Sequence, residues 1–125
     1  MLTQEHAQTA QDFLAVADDE FASGDMLQGS EKMWGAAAHA VMAVAQQRDW
    51  PFGNHGALRV AVRRLADESG DRALLGGFSA SERLHANFYH DFMEHDADFD
   101  FTRDVVRDFV TRMLSLMDES PNGSA

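Results

Sequence analysis

The stretch EKMWGAAAHAVMAVAQ, residues 31–46, decides the fold. Met33, Trp34, Ala37, Val41 and Val44 form one apolar stripe at helical spacing, and Ala36, Ala40 and Ala43 line the opposite side. A helix that is apolar or small nearly all round is buried on more than one side. Its polar exceptions are Glu31, Lys32, His39 and Gln46. The last three, seven residues apart, form a strip that reads either as a solvated edge or as a face bringing His39 to a cleft or subunit interface. The small residues Gly35, Ala36, Ala40 and Ala43 beside it favour close approach of another helix, such as the same helix of a second subunit.

Outward from this segment the chain reads as helices with short connections. Asp25, with Gln28 three residues on, opens the helix that contains it, which runs to about Arg48. Before it, Ala7, Ala10, Leu14, Ala17 and Phe21 recur at helical spacing, predicting a helix capped by Thr3 and ended by Ser23-Gly24. After it, Trp50-Pro51-Phe52-Gly53-Asn54 breaks the chain, because Pro51 disfavours helix at Trp50 and Gly53-Asn54 invites a turn. A third helix is expected over about His55 to Glu68. The fourth segment, Arg72 to Met93, contains Gly76-Gly77 and a second capping pattern at Ser79 and Glu82. It reads as a short helix followed by a fresh start near Ala80, or as one continuous helix. Glu94 to Asp100 reads as an acidic connection, and Phe101 to Met117 as the last helix. The expectation is an all-α antiparallel bundle of four main helices plus a short extra one. Residues 1–119 form one domain in this reading, and residues 120–125 a disordered tail.

Composition narrows the function. The chain has 125 residues, 45% of them hydrophobic, which suits a soluble domain with a real core. No apolar run approaches the roughly 18 residues a membrane span requires. The first residues, MLTQEHAQTAQDF, lack the basic and apolar regions of a signal peptide, so a cytoplasmic location is expected. There is no cysteine and therefore no thiol chemistry. The formal charge is -11, and Lys32 is the only lysine among ten basic residues. That balance repels polyanions overall and argues against non-specific nucleic-acid binding, while leaving room for a local arginine patch.

Three sets of residues have chemical potential. His85 lies in the middle of the apolar face of the fourth segment. It reads as a core histidine bonded to a carbonyl or to Glu82, or as a pocket acid, base or ligand. Arg83, Asn87 and His90, at i, i+4 and i+7, share a helix face largely opposite the core. That face is solvated, or it handles an anion: Arg83 clamps a phosphate, Asn87 orients it and His90 moves a proton. Two metal patterns are weaker. Glu82-x-x-His85 lacks the second copy a di-iron bundle needs, and His90-Asp91, with His55 upstream and Asp104 or Asp108 downstream, matches helical metal phosphohydrolases only crudely, in a chain short for that fold. No metal and no cofactor are expected.

EKMWGAAAHAVMAVAQQRDW, WPFGNHGAL and LHANFYHDF occur in an order and separation that resemble the HEPN superfamily of small helical bundles, more closely its archaeal PaREP-type branch and bacterial relatives. The resemblance spans about residues 10 to 117. It implies a bundle commonly paired as a homodimer, and many HEPN members are metal-independent ribonucleases with an Arg-x4-6-His motif. Arg83 to His90 fits that spacing, although Leu84 stands where the nuclease pattern has a polar residue. The positions that match the branch best are His85, Asn87, Phe88 and Tyr89, with Glu31, Trp34 and His39 on the second helix and His55 in the loop. The implied function is RNA or nucleotide handling, with metal-independent endoribonuclease activity as its sharpest form. The alternative is a non-catalytic helical partner in a toxin–antitoxin or nucleotidyltransferase-linked complex.

Overall fold

The computed structural model describes residues 1–117; the expected tail at residues 120–125 lies outside them. Five helices and no strand occur among the described residues: α1 Thr3–Ala22, α2 Met26–Gln47, α3 His55–Ser69, α4 Ala73–His90 and α5 Ala97–Ser115. The all-α bundle expected from the sequence is what forms. α2, which carries the stretch 31–46, is touched by each of the other four helices. Met33, Ala36, Ala37, Ala40, Val41, Ala43 and Val44 have no solvent-exposed surface, as an all-round apolar helix requires.

α1 folds back antiparallel on α2 through the tight turn at Ser23–Gly24. The pairing runs in opposite order along the two helices: Thr3 with Gln46, His6 with His39, and Phe13 with Lys32. A methyl group on Gly35 would sit 2.6 Å from the Phe13 ring, so only glycine admits that ring at this height. The polar strip and its small neighbours therefore meet α1 of the same chain. The close approach of another helix that these small residues favour is made by α1 of the same chain.

Local chemistry sets most helix ends. Asp25 accepts a hydrogen bond from the Gln28 amide, and Asn54 one from the Ala57 amide, so both act as N-caps. Thr3 is not the cap of α1. It is the first helical residue, and Glu5 reaches back to the Leu2 amide instead. Gly70, with φ of 73°, ends α3 in the left-handed region.

α4 is one unbroken helix, which removes the split near Ala80. Leu74, Phe78, Ser81 and Leu84 all bury along one face, and that burial outweighs the propensity cost of about 1 kcal/mol per glycine. Gly77 also has a packing role, since a methyl group there would lie 2.6 Å from Cβ of Phe109 on α5. The last helix starts at Ala97, four residues before Phe101. Asp96 accepts from the Phe99 amide, and Asp98 and Asp100 occupy the first turn. The acidic stretch read as a connection is thus partly a helix N-terminus, where negative charge is favourable.

Candidate functional site

Three helices meet around Trp34. Glu31 and Trp34 are three residues apart on α2, Glu82 and His85 three apart on α4, and Tyr89 follows one turn later, so each set shares a helix face. His55 is the first residue of α3, held there by the Asn54 cap that follows the Pro51–Gly53 break. The sequence scatters these residues over nearly sixty positions, and the fold gathers them.

The indole of Trp34 is the common surface. The His85 ring stacks on it, with centroids 4.8 Å apart and planes at 24°. The His55 ring lies at the same centroid distance, 4.8 Å, tilted by 37°. The two imidazoles are 6.3 Å from each other, too close to sandwich the indole between them, so they flank it on adjoining sides. Tyr89 sets its edge against His85 at 5.3 Å and is itself 68% exposed.

Each imidazole is held by a carboxylate. His85 Nδ1 donates to Glu31 Oε1 at 2.8 Å, and His55 Nε2 donates to Glu82 Oε2 at 2.7 Å. Arg59 of α3 also donates to Glu82 Oε2, at 2.5 Å. Among the described residues the remaining nitrogen of each ring makes no hydrogen bond. A carboxylate fixes the tautomer and orientation of its imidazole. Burial alone would raise the Glu82 carboxyl, but the hydrogen bonds and charges of Arg59 and His55 outweigh it and hold the group below its usual range. Glu82 is therefore ionised at neutral pH. Side chains at the site keep between 23% and 40% of their surface for Glu31, Glu82, His85 and His55, so the site is open to a ligand. Among the described residues no three His, Asp or Glu side chains are arranged to hold a metal ion.

The sequence-derived candidates separate into three groups. Glu31, Trp34, His55, His85 and Tyr89 come together. His39 lies elsewhere, on the α1 side of α2. Its Nδ1 is 2.9 Å from Nδ1 of His6, one ring donating and the other accepting. Phe13 packs edge-on against His39, and Phe52 against His6. Burial lowers the pKa of His6, with the His39 charge adding to it, and burial lowers that of His39.

The third group, the row Arg83–Asn87–His90, is broken in the middle, which corrects the expectation of a shared solvated face. Arg83 and His90 are exposed, and Arg83 lies over the Phe92 ring at 5.7 Å. Asn87 is 1% exposed. Its side chain accepts from the Phe92 and Met93 amides and donates to the Ser30 hydroxyl, so it ties the turn after α4 to α2. A 3.6-residue period rotates i+4 and i+7 to opposite edges of the stripe, and here the core edge falls on Asn87.

Arg59 escapes sequence reasoning, and Glu82, read as a partner for His85, bonds to His55 instead while Glu31 takes His85. Glu82 and Arg59 pair across 23 positions, and no local pattern joins them. His6 was within reach, because it lies four residues before Ala10 and seven before Phe13, on the stripe that packs α1.

The fold is shared with a solved protein. A crystal structure from Sulfolobus solfataricus superimposes with a TM-score of 0.74 at 17% identity, over 86% of this chain and 94% of that one. No curated protein matches. Residues 5–110 match the profile of the archaeal PaREP1/PaREP8 family, and the chain belongs to that family.

Proposed function

We propose that this chain is a HEPN-type cytoplasmic protein that handles RNA or a nucleotide, and that the Trp34 site is a metal-independent endoribonuclease centre. The observation that carries the reading is the pair of imidazoles, each bound to a carboxylate through one nitrogen, against a single indole. Cleavage of RNA without a metal needs a base for the ribose 2′-OH and an acid for the departing 5′ oxygen, with those two oxygens roughly in line through phosphorus. One neutral imidazole takes the 2′ proton as the 2′ oxygen attacks. The P–O5′ bond breaks, and the other imidazole, protonated, gives its proton to the leaving oxygen. The products are a 2′,3′-cyclic phosphate and a free 5′-hydroxyl. Glu31 and Glu82 hold the rings in place and stabilise whichever imidazolium forms, and the exposed Tyr89 offers a stacking surface for a base.

The test is incubation of purified protein with single-stranded RNA in excess EDTA. We expect 5′-hydroxyl products, and a loss of about 10²- to 10⁴-fold in His85→Ala or His55→Ala purified identically. RNA left intact by the wild type at high protein concentration, together with no RNA binding, overturns the reading.

A second reading has its own observation. An open groove of about 730 Å³ between α4 and α5 is lined by Gly76, Ala80, Arg83, Phe101 and Val105, and Phe101 is 68% exposed beside the small residues. A protruding ring next to a notch on one face is self-complementary under two-fold symmetry. We propose this groove as the homodimer surface, which brings Arg83, and with it the Arg83–His90 motif, to the interface. In its non-catalytic form the same groove receives a helix of a nucleotidyltransferase or antitoxin partner. Sedimentation of the purified chain distinguishes a dimer from a monomer.

A further inference from the structure

Beside the Trp34 site, a cavity of about 300 Å³ opens between α3 and α4. Val62 and Phe78, both nearly fully buried, form its apolar walls. Its polar lining comes from Arg59 and Arg63, one turn apart on α3, and from Ser79 and Glu82 on α4. Glu82 lines this cavity and also holds His55, so the cavity adjoins the histidine site.

The arginines of α3 are used unequally. Arg59 is bound to Glu82, and Arg64 pairs with Glu68 and lies over the Trp50 ring at 4.2 Å. Arg63, between them in sequence, engages no carboxylate and no ring among the described residues, and the Ser79 hydroxyl makes no hydrogen bond there. A guanidinium and a hydroxyl thus face one cavity without a task. The one carboxylate present, Glu82, already receives Arg59 and His55, so the lining carries a local excess of positive charge in a chain of net charge -11. That excess governs binding, because charges beyond about 8 Å are largely screened at physiological salt.

We propose that this cavity is a phosphate subsite, in which Arg63, with Ser79 beside it, holds a phosphate ester adjacent to the group undergoing chemistry at His55 and His85. The subsite rests on the proposed RNA or nucleotide function and names the group through which that ligand is positioned. Arg63 supplies the planar, forked donors that match phosphate oxygens. Arg59 stays with Glu82 and orients His55. The phosphate belongs either to the next nucleotide of an RNA chain or to the terminal group of a free nucleotide, since both present the same oxygens.

The test is binding of a fluorescein-labelled 12-nucleotide single-stranded RNA by anisotropy across a salt series, with adenosine and adenosine 5′-monophosphate as competitors. The variants are Arg63→Ala and Arg63→Lys. Arg63 is exposed and has no side-chain partner among the described residues, so both should melt like wild type. Arg63→Ala should weaken RNA binding about tenfold and reduce the salt slope by about 0.7, the value of one lost contact on a single strand. Arg63→Lys should keep the slope. Competition by the monophosphate but not by adenosine supports the subsite with a free nucleotide as its source. RNA binding that neither competitor disturbs, with the slope still lowered in Arg63→Ala, supports it with an RNA chain. If wild type binds and Arg63→Ala binds equally with an unchanged slope, the subsite is wrong while the Trp34 reading stands. If wild type binds neither RNA nor monophosphate, both fall.

Discussion

Two pairs of histidines flank α2, and they are built on opposite terms. On the α1 side, His6 and His39 bond to each other, with Phe13 and Phe52 edge-on around them and no carboxylate hydrogen-bonded to either ring among the described residues. On the α3–α4 side, His55 and His85 never bond to each other; each has its own glutamate. The first pair allows one proton between two facing nitrogens, and burial disfavours any further charge. In the second pair each ring is oriented by its own carboxylate, and its other nitrogen makes no hydrogen bond among the described residues. One is a polar fastener between helices, and the other is where the proposed chemistry would take place. The same residue type thus stands in two settings on one helix bundle, partnered by another imidazole on one side and by an acid on the other.

The fastener should break hardest. His39→Ala removes one half of the bond and leaves His6, only 6% exposed, with an unpaired ring nitrogen. An orphaned buried polar group costs about 1–3 kcal/mol, and the lost packing on Phe13 adds to it. Thermal unfolding should show a drop of several degrees. His85→Ala should lose less, about 1 kcal/mol or under, because Glu31 stays in reach of water. Equal losses in the two variants would erase the distinction between the pairs.

The pH dependence of stability separates them next. His6 and His39 have lowered pKa values in the folded protein. The unfolded chain therefore binds protons more readily than the fold does below an ordinary histidine pKa of about 6.5. Their contribution is complete above that pH and is lost progressively as pH falls below it. Glu82 has the same sign in a lower window. Its folded pKa lies under the ordinary 4.5, so its contribution is present above that value and declines as pH falls further. Melting temperatures between pH 7 and pH 5 should fall in the wild type and flatten in a double His6→Leu, His39→Leu variant. A slope that persists in the double variant would assign the titration to other groups.

How much of this was legible follows from the range of the interactions. α2 was readable because its apolar positions sit within one helix, and Asp25 and Asn54 were readable because a cap acts over three residues. The start of α5 was not, since Asp96, Asp98 and Asp100 look like a solvated linker until Phe99, buried to 1%, is seen to anchor the first turn. The continuity of α4 through Gly76-Gly77 goes with the burial of Leu74, Phe78 and Leu84 and with the fit of Gly77 against Phe109, more than thirty residues away. At the site, Glu31, Trp34, His55, His85 and Tyr89 were reached through a family likeness rather than through periodicity, which placed His85 in the core. Their convergence, and the part played by Glu82 and Arg59, exist only once α3 docks on α4.

The smallest effect on stability is the most discriminating for mechanism. Arg83 and His90 fit the ribonuclease spacing, yet both are exposed on the outer side of α4, and the asparagine between them is committed to the turn at Phe92–Met93. Arg83 gains at most a cation–π contact with Phe92, worth about 0.5–1 kcal/mol at an exposed site. His90 is the exposed last residue of α4 and makes no side-chain hydrogen bond among the described residues. Arg83→Ala and His90→Ala should therefore melt within about 1 kcal/mol of wild type. Their value lies in the activity measured beside His85→Ala. If cleavage depends on His85 and survives His90→Ala, the chemistry belongs to the Trp34 site of a single chain. If His90→Ala abolishes cleavage and His85→Ala leaves it intact, the active centre is the α4–α5 interface of a dimer, and the two carboxylate-held imidazoles bind rather than cut.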